Sequence, residues 1–144
     1  MAGTTTAQNV FDLAMGLSDN ICSGGLSDTT DNSEYKRRTL RILNALRLEL
    51  YPLSDTYTAS KAGTRPQNAS LSAFSDVIDL DDYLAQTVLP YGLAAVLLLD
   101  ENPNVASFFQ QRYEELKIAS KIPNAFVPIE NVYGGQCYNK YSRW

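Results

Sequence analysis

Histidine is absent from the 144-residue chain. That absence removes the commonest general base and the commonest metal ligand together. Ser-His-Asp and Cys-His catalysis and histidine-containing zinc sites are therefore impossible within this sequence. Cysteine is scarce: Cys22 and Cys137 stand far apart and neither belongs to a CxxC pair. Secreted disulfide scaffolds carry more cysteines at closer spacing, so a reduced intracellular setting is expected. No GxxxxGK[ST] or GxGxxG sequence is present, and Gly24-Gly25 and Gly134-Gly135 lack the flanking strand and helix of a phosphate cradle.

Positive charge is also in deficit. Twelve basic against sixteen acidic residues give a net charge of −4. A nucleic-acid reader needs the opposite balance, although a protein that merely lets DNA pass does not. Residues 1–17 show no basic stretch followed by an apolar core, so no signal peptide is expected. The uncharged stretch 83–99 is slightly short for a membrane span and is interrupted by Gln86, Thr87, Pro90 and Gly92. It reads as a buried core helix.

What is present fits one globular domain, with 44% hydrophobic and 19% charged residues. The apolar periodicity predicts an all-α fold, a small bundle of about four helices with long loops. The first helix runs over 5–17, with Val10, Phe11, Ala14 and Leu17 inward and the preceding threonines capping. The second starts at Asn32 or Ser33 and ends before Pro52. Its stripe is Tyr35, Thr39, Ile42, Leu43, Leu46 and Leu50, while Arg37, Arg38 and Arg41 gather opposite, with Leu48 at their helical phase.

A long polar loop is expected over 53–79, with some strand character at Thr56, Tyr57 and Thr58. The third helix starts within Leu80-Asp81-Asp82, and Pro90 should kink or break it near Leu89. Gly92-Leu93-Ala94-Ala95 permits close helix approach, and Val96 to Leu99, apolar all round, should be the most buried part. Asn102 and Pro103 cap and open a fourth helix whose inner residues are Ala106, Phe109, Tyr113 and Leu116. The bundle is thus assigned to residues 1–122.

Residues 123–144 differ in style. Pro123, Pro128 and Gly134-Gly135 forbid a regular helix, yet the segment carries Phe126, Ile129, Val132, Tyr133, Tyr138, Tyr141 and Trp144. Aromatic residues are common anchors of protein interfaces, so these seven are the candidate partner-binding residues of an extended C-terminal arm. No catalytic, cofactor or metal site is expected. The acidic run Asp76, Asp79, Asp81, Asp82 lacks the glycine and glutamate of a calcium loop and is explained by carboxylates at a helix start. Ser60-Lys61 has no supporting motif, and the arginines of the second helix fit a solvated face better than a phosphate site.

Two stretches carry a resemblance. One is Leu80-Asp81-Asp82-Tyr83-Leu84 through Leu89-Pro90-Tyr91-Gly92-Leu93-Ala94-Ala95-Val96-Leu97-Leu98, continued by Glu101-Asn102-Pro103 and Phe108-Phe109-Gln110-Gln111-Arg112-Tyr113-Glu114-Glu115-Leu116. The other is Ile129-Glu130-Asn131-Val132-Tyr133-Gly134-Gly135. Together they resemble the head–tail connectors, or adaptors, of tailed bacteriophages and prophages of Gram-positive hosts. The likeness covers roughly the last 65 residues and consists of helix order and short phrases; the loop at 53–79 departs from it.

It implies a structural virion subunit, assembled in the host cytoplasm, that forms a ring, usually twelve-fold, beneath the portal. Such a ring contacts the portal protein above and the next tail or head-closure protein below, and DNA passes through without specific binding. No enzyme activity and no membrane association are implied. Two other readings stand beside it: a head-closure or tail-completion protein, which would be richer in β-structure, and a small nucleic-acid-binding regulator using Arg37, Arg38, Arg41 and Arg47.

Overall fold

The computed structural model describes residues 3–19, 23–57 and 69–121. The candidate arm residues Phe126, Ile129, Val132, Tyr133, Tyr138, Tyr141 and Trp144 lie outside this set, as do both cysteines, Ser60, Lys61 and much of the 53–79 loop. Among the described residues the fold is all-α, with helices α1 (Ala7–Leu17), α2 (Ser33–Leu50), α3 (Leu89–Leu97) and α4 (Pro103–Ala119). A short 3-10 turn, Tyr51–Leu53, follows α2, and a π-helical turn, Leu84–Val88, runs directly into α3. The expected strand character near Thr56 gives no strand among the described residues; one isolated antiparallel bridge joins Thr6 to Val77.

Helix α3 is the centre of the bundle and packs against α1, α2 and α4. Its sequence explains this: Leu89, Pro90, Gly92, Leu93, Ala94, Ala95 and Leu97 are all buried and leave no polar face. Gly92 is what lets the neighbours approach. A Cβ there would lie 2.8 Å from Cε2 of Tyr113 on α4 and 3.2 Å from Cδ1 of Leu46 on α2.

Pro90 does not split the third helix into two. Its missing N–H and its ring would disturb a regular α-turn at this point. The chain instead widens into the π-helical turn immediately before it and continues as one helical rod. The apolar run at the end of α3 is also less uniform than its composition suggests. Leu97 and Leu98 are buried, but Val96 is half-buried and Leu99 is 58% exposed. The helix stops at Leu97, and the turn that follows carries Leu99 away from the core.

The ends of the helices follow local chemistry. The Thr6 hydroxyl accepts from Asn9 N at 3.3 Å, and Asn102 Oδ1 accepts from Val105 N at 3.3 Å ahead of Pro103. At α2, Asn32 occupies the cap position without a side-chain capping bond; its Nδ2 donates to the Ser27 carbonyl at 2.9 Å. Helix α1 receives help from far along the chain. Its first-turn N–H groups at Ala7 and Gln8 donate to the carbonyls of Asp76 (3.0 Å) and Phe74 (2.9 Å), and Ile78 N donates to Thr5 O (2.9 Å). Donors that a helix start leaves unsatisfied are thereby paired. Phe11 and Phe74 meet edge-on with centroids 6.1 Å apart, which fastens the same junction.

Candidate assembly surface

Four carboxylates that form one run in sequence are sent to four different tasks. Asp76 Oδ2 accepts from Ser72 N (2.8 Å) and Ala73 N (2.9 Å), closing a local turn. Asp79 pairs with Arg47, 2.8 Å between Oδ2 and Nη1. Asp81 accepts from Leu84 N at 3.0 Å and so opens the third helix, while its other oxygen accepts from the Ser54 hydroxyl at 3.0 Å. Asp82 accepts from Thr4 N (2.7 Å), Thr5 N (3.1 Å) and the Thr5 hydroxyl (2.7 Å), pinning the N-terminal strand of chain to the bundle. The helix-start explanation therefore fits Asp81, at the cap, and Asp82, the first helical residue, but not Asp76 or Asp79. No group of metal-ligating side chains comes together among the described residues.

These bonds set the electrostatics. The backbone N–H groups of Ser72 and Ala73 hold the Asp76 carboxyl below its ordinary 3.8. The Thr5 hydroxyl and the Thr4 N–H do the same for Asp82. The phenol of Tyr35, desolvated and donating to the Glu101 carboxylate, is pushed up to about 12. Lys117 is raised by its bond to Glu49, an ion pair that joins the last turns of α2 and α4. Burial likewise raises the Tyr113 phenol, whose ring lies under the Lys117 ammonium, 5.3 Å from its centroid.

Arg47 belongs to the interior and not to the basic face. It is 2% exposed, bonded through Nε to Asn44 Oδ1 (3.2 Å) and paired with Asp79. Asn44 in turn binds both the N–H and the carbonyl of Leu71. The regulator reading loses one of its four arginines to this cluster. Sequence periodicity does place Arg47 beside Leu43 and Leu50, but a charge at that phase reads as a helix edge until its partner, 32 residues away, is known.

Arg37 and Arg41 do face solvent, and Arg38 is half-buried. Together with Glu34, Ala45 and Leu48, Arg37 and Arg41 form a ridge along the outside of α2, because residues three and four apart share a helix face. Leu48 is 51% exposed at the far end of that ridge. A groove of about 430 Å³ runs between α3 and α4, floored by Ala95, Val96, Leu99 and Ala106 and walled by Ser107, Gln110, Gln111 and Glu114. Beyond its α3 end, Asp100 and Glu101 are exposed. A second groove, of about 500 Å³, lies where α1, α3 and α4 meet and includes Leu13, Leu17, Pro90, Tyr91 and Leu116. Phe108 and Ile118 stand 62% and 63% exposed on the outside of α4.

Comparison with family models, with curated protein sequences and with solved structures gives no match. Among the described residues no helix is long and apolar enough to cross a membrane.

Proposed function

We propose that this chain is a structural subunit of the head–tail connector class, one copy of a ring, twelve-fold in that class, that links the portal protein to the next tail or head-closure protein around the DNA channel of a virion. It works by protein contact, without a catalytic centre or resident metal. The observation that carries the reading is the distribution of large apolar side chains. All three helices that surround α3 present them outward: Leu13 and Leu17 on α1, Leu48 on α2, and Phe108 and Ile118 on α4. Single exposed leucines are ordinary, but apolar side chains spread over several faces of one small body favour a subunit with several neighbours.

The resemblance of residues 80–116 and 129–135 to connectors supports the same reading. Helical content supports the connector over a head-closure or tail-completion protein, for which more β-structure is expected. The candidate arm 123–144 is the proposed docking element toward the portal or a neighbouring subunit. The test is co-expression with a candidate portal protein of a tailed bacteriophage, followed by electron microscopy. A ring of this chain beneath the portal is the expected result; portals that remain bare overturn the proposal.

A further inference from the structure

The α2 ridge and the α3–α4 groove share no residue; the ridge carries two exposed arginines, and the groove carries one carboxylate, Glu114, which lies 3.3 Å from Lys117 Nζ. The ridge offers two exposed cations, Arg37 and Arg41, followed by the apolar Leu48. Among the described residues Arg37 bonds to Glu34 three residues earlier, with both side chains more than 70% exposed. Such a pair is screened by water and easily exchanged for another carboxylate. The groove offers an aliphatic floor, Val96, Leu99 and Ala106, with Glu114 on its wall. Leu99 is 58% exposed, and among the described residues no element covers it.

The spacings agree as well. From Arg41 to Leu48 is seven residues of helix, about 10 Å at 1.5 Å per residue. From Ala106 to Glu114 is eight residues, about 12 Å by the same measure. A helix laid along the groove with its leucine over Leu99 and Ala106 therefore brings its arginine beside Glu114.

We propose that the α2 ridge of one copy seats in the α3–α4 groove of a second copy of this chain, Leu48 against Leu99 and Ala106 and Arg41 against Glu114. The proposal rests on the ring reading above and gives it a specific subunit contact. Unlike patches meet in such a contact, so each copy keeps one ridge or one groove unused after the first pairing. The contact is heterologous and propagates until a ring closes or a filament grows. Glu114 can serve it while keeping its place near Lys117, because a carboxylate has lone pairs for more than one cation.

The experiment is sedimentation velocity on the purified full chain over rising concentration, with Leu48→Asp, Arg41→Glu, Glu114→Arg and the double variant Arg41→Glu/Glu114→Arg. Leu48 and Arg41 are exposed, and an unchanged far-UV circular dichroism spectrum confirms that each variant is folded. The wild type is expected to pass beyond the dimer. Each single variant is expected to need at least about tenfold more protein to do so, and the double reversal to recover most of that loss. Assembly of Leu48→Asp and Arg41→Glu indistinguishable from the wild type overturns the contact while leaving the ring reading standing. A wild type that stays monomeric at every concentration also overturns the contact, whereas the ring reading falls only if no ring forms on the portal.

Discussion

At Gly92 a single hydrogen atom in place of a methyl group decides how closely three helices meet. The nearest atoms to an added Cβ belong to the ring of Tyr113, which is itself buried and cannot swing away. Gly92→Ala is expected to lower stability by about 1–3 kcal/mol, the usual cost of overpacking, read as a fall in urea midpoint. Arg47 and Asp79 should respond unequally to truncation. Asp79→Ala leaves an almost wholly buried guanidinium with Asn44 but without its carboxylate, and because that carboxylate is one-third exposed the cost should fall at or below about 3 kcal/mol, the lower end for breaking a buried pair. Arg47→Met leaves instead a carboxylate that is one-third exposed and can rehydrate, so its loss should be the smaller of the two in the same denaturation series.

The Asp82 carboxyl supplies a pH dependence with a definite sign. Its folded pKa is lowered below 3.8 by bonds to Thr4 and Thr5, so the stabilisation is complete above 3.8 and is lost as pH falls through the lower, folded value. Hydrogen exchange at the Thr4 and Thr5 amides should accelerate in that acid window, and Asp82→Asn should show the faster exchange already at neutral pH. Tyr35 acts at the other extreme. Its neutral phenol is favoured up to about 12, so its contribution is whole below 10 and disappears as pH rises through 12.

At the scale of elements, the third helix separates buried from exposed leucines within three residues. Leu97→Ala should cost about 2–5 kcal/mol, whereas Leu99→Ala, on a side chain already in water, should change the melting midpoint little. A Leu97→Ala protein as stable as the wild type would mean that α3 is not the core. Much of this architecture is legible in the sequence. Asn102-Pro103 marks the start of α4, and the spacing of Ala106, Phe109 and Tyr113 identifies its inner face, because capping and helical period are local properties. The places where local reasoning fails depend on distant partners. Arg47 is inside because Asp79 comes to meet it, and the N-terminal end of α1 is completed by carbonyls at Phe74 and Asp76. Pro90 reads as a kink or a break because sequence does not reveal that the preceding turn can widen. Leu99 reads as core because composition alone does not say where a helix will stop.

For the whole molecule, the candidate assembly surface was only partly legible: Leu48 among its arginines stood out, but the α3–α4 groove needs the packing of two helices to be seen. The seven aromatic and aliphatic residues of the proposed arm are tested by truncation after Ile122. The shortened chain should keep its helical circular dichroism signal and lose attachment to the portal; unfolding would make the arm part of the core. Net charge sets a further expectation. At −4 for the chain, the isolated protein should show no tight, salt-sensitive binding to duplex DNA in a fluorescence titration.

The long-range completion of α1 also has a consequence in time. The carbonyls of Asp76 and Phe74 that pair Ala7 and Gln8 are made about 60 residues after the end of α1. At a synthesis rate of roughly 5–20 residues per second, that gap is several seconds. During those seconds a nascent chain carries Val10, Phe11 and Met15 with α2 already made but α3, which packs most extensively against α1, still to come. The start of α1 thus stays incomplete until residues 74–76 emerge, and for that interval part of its apolar face is open to whatever waits at the ribosome.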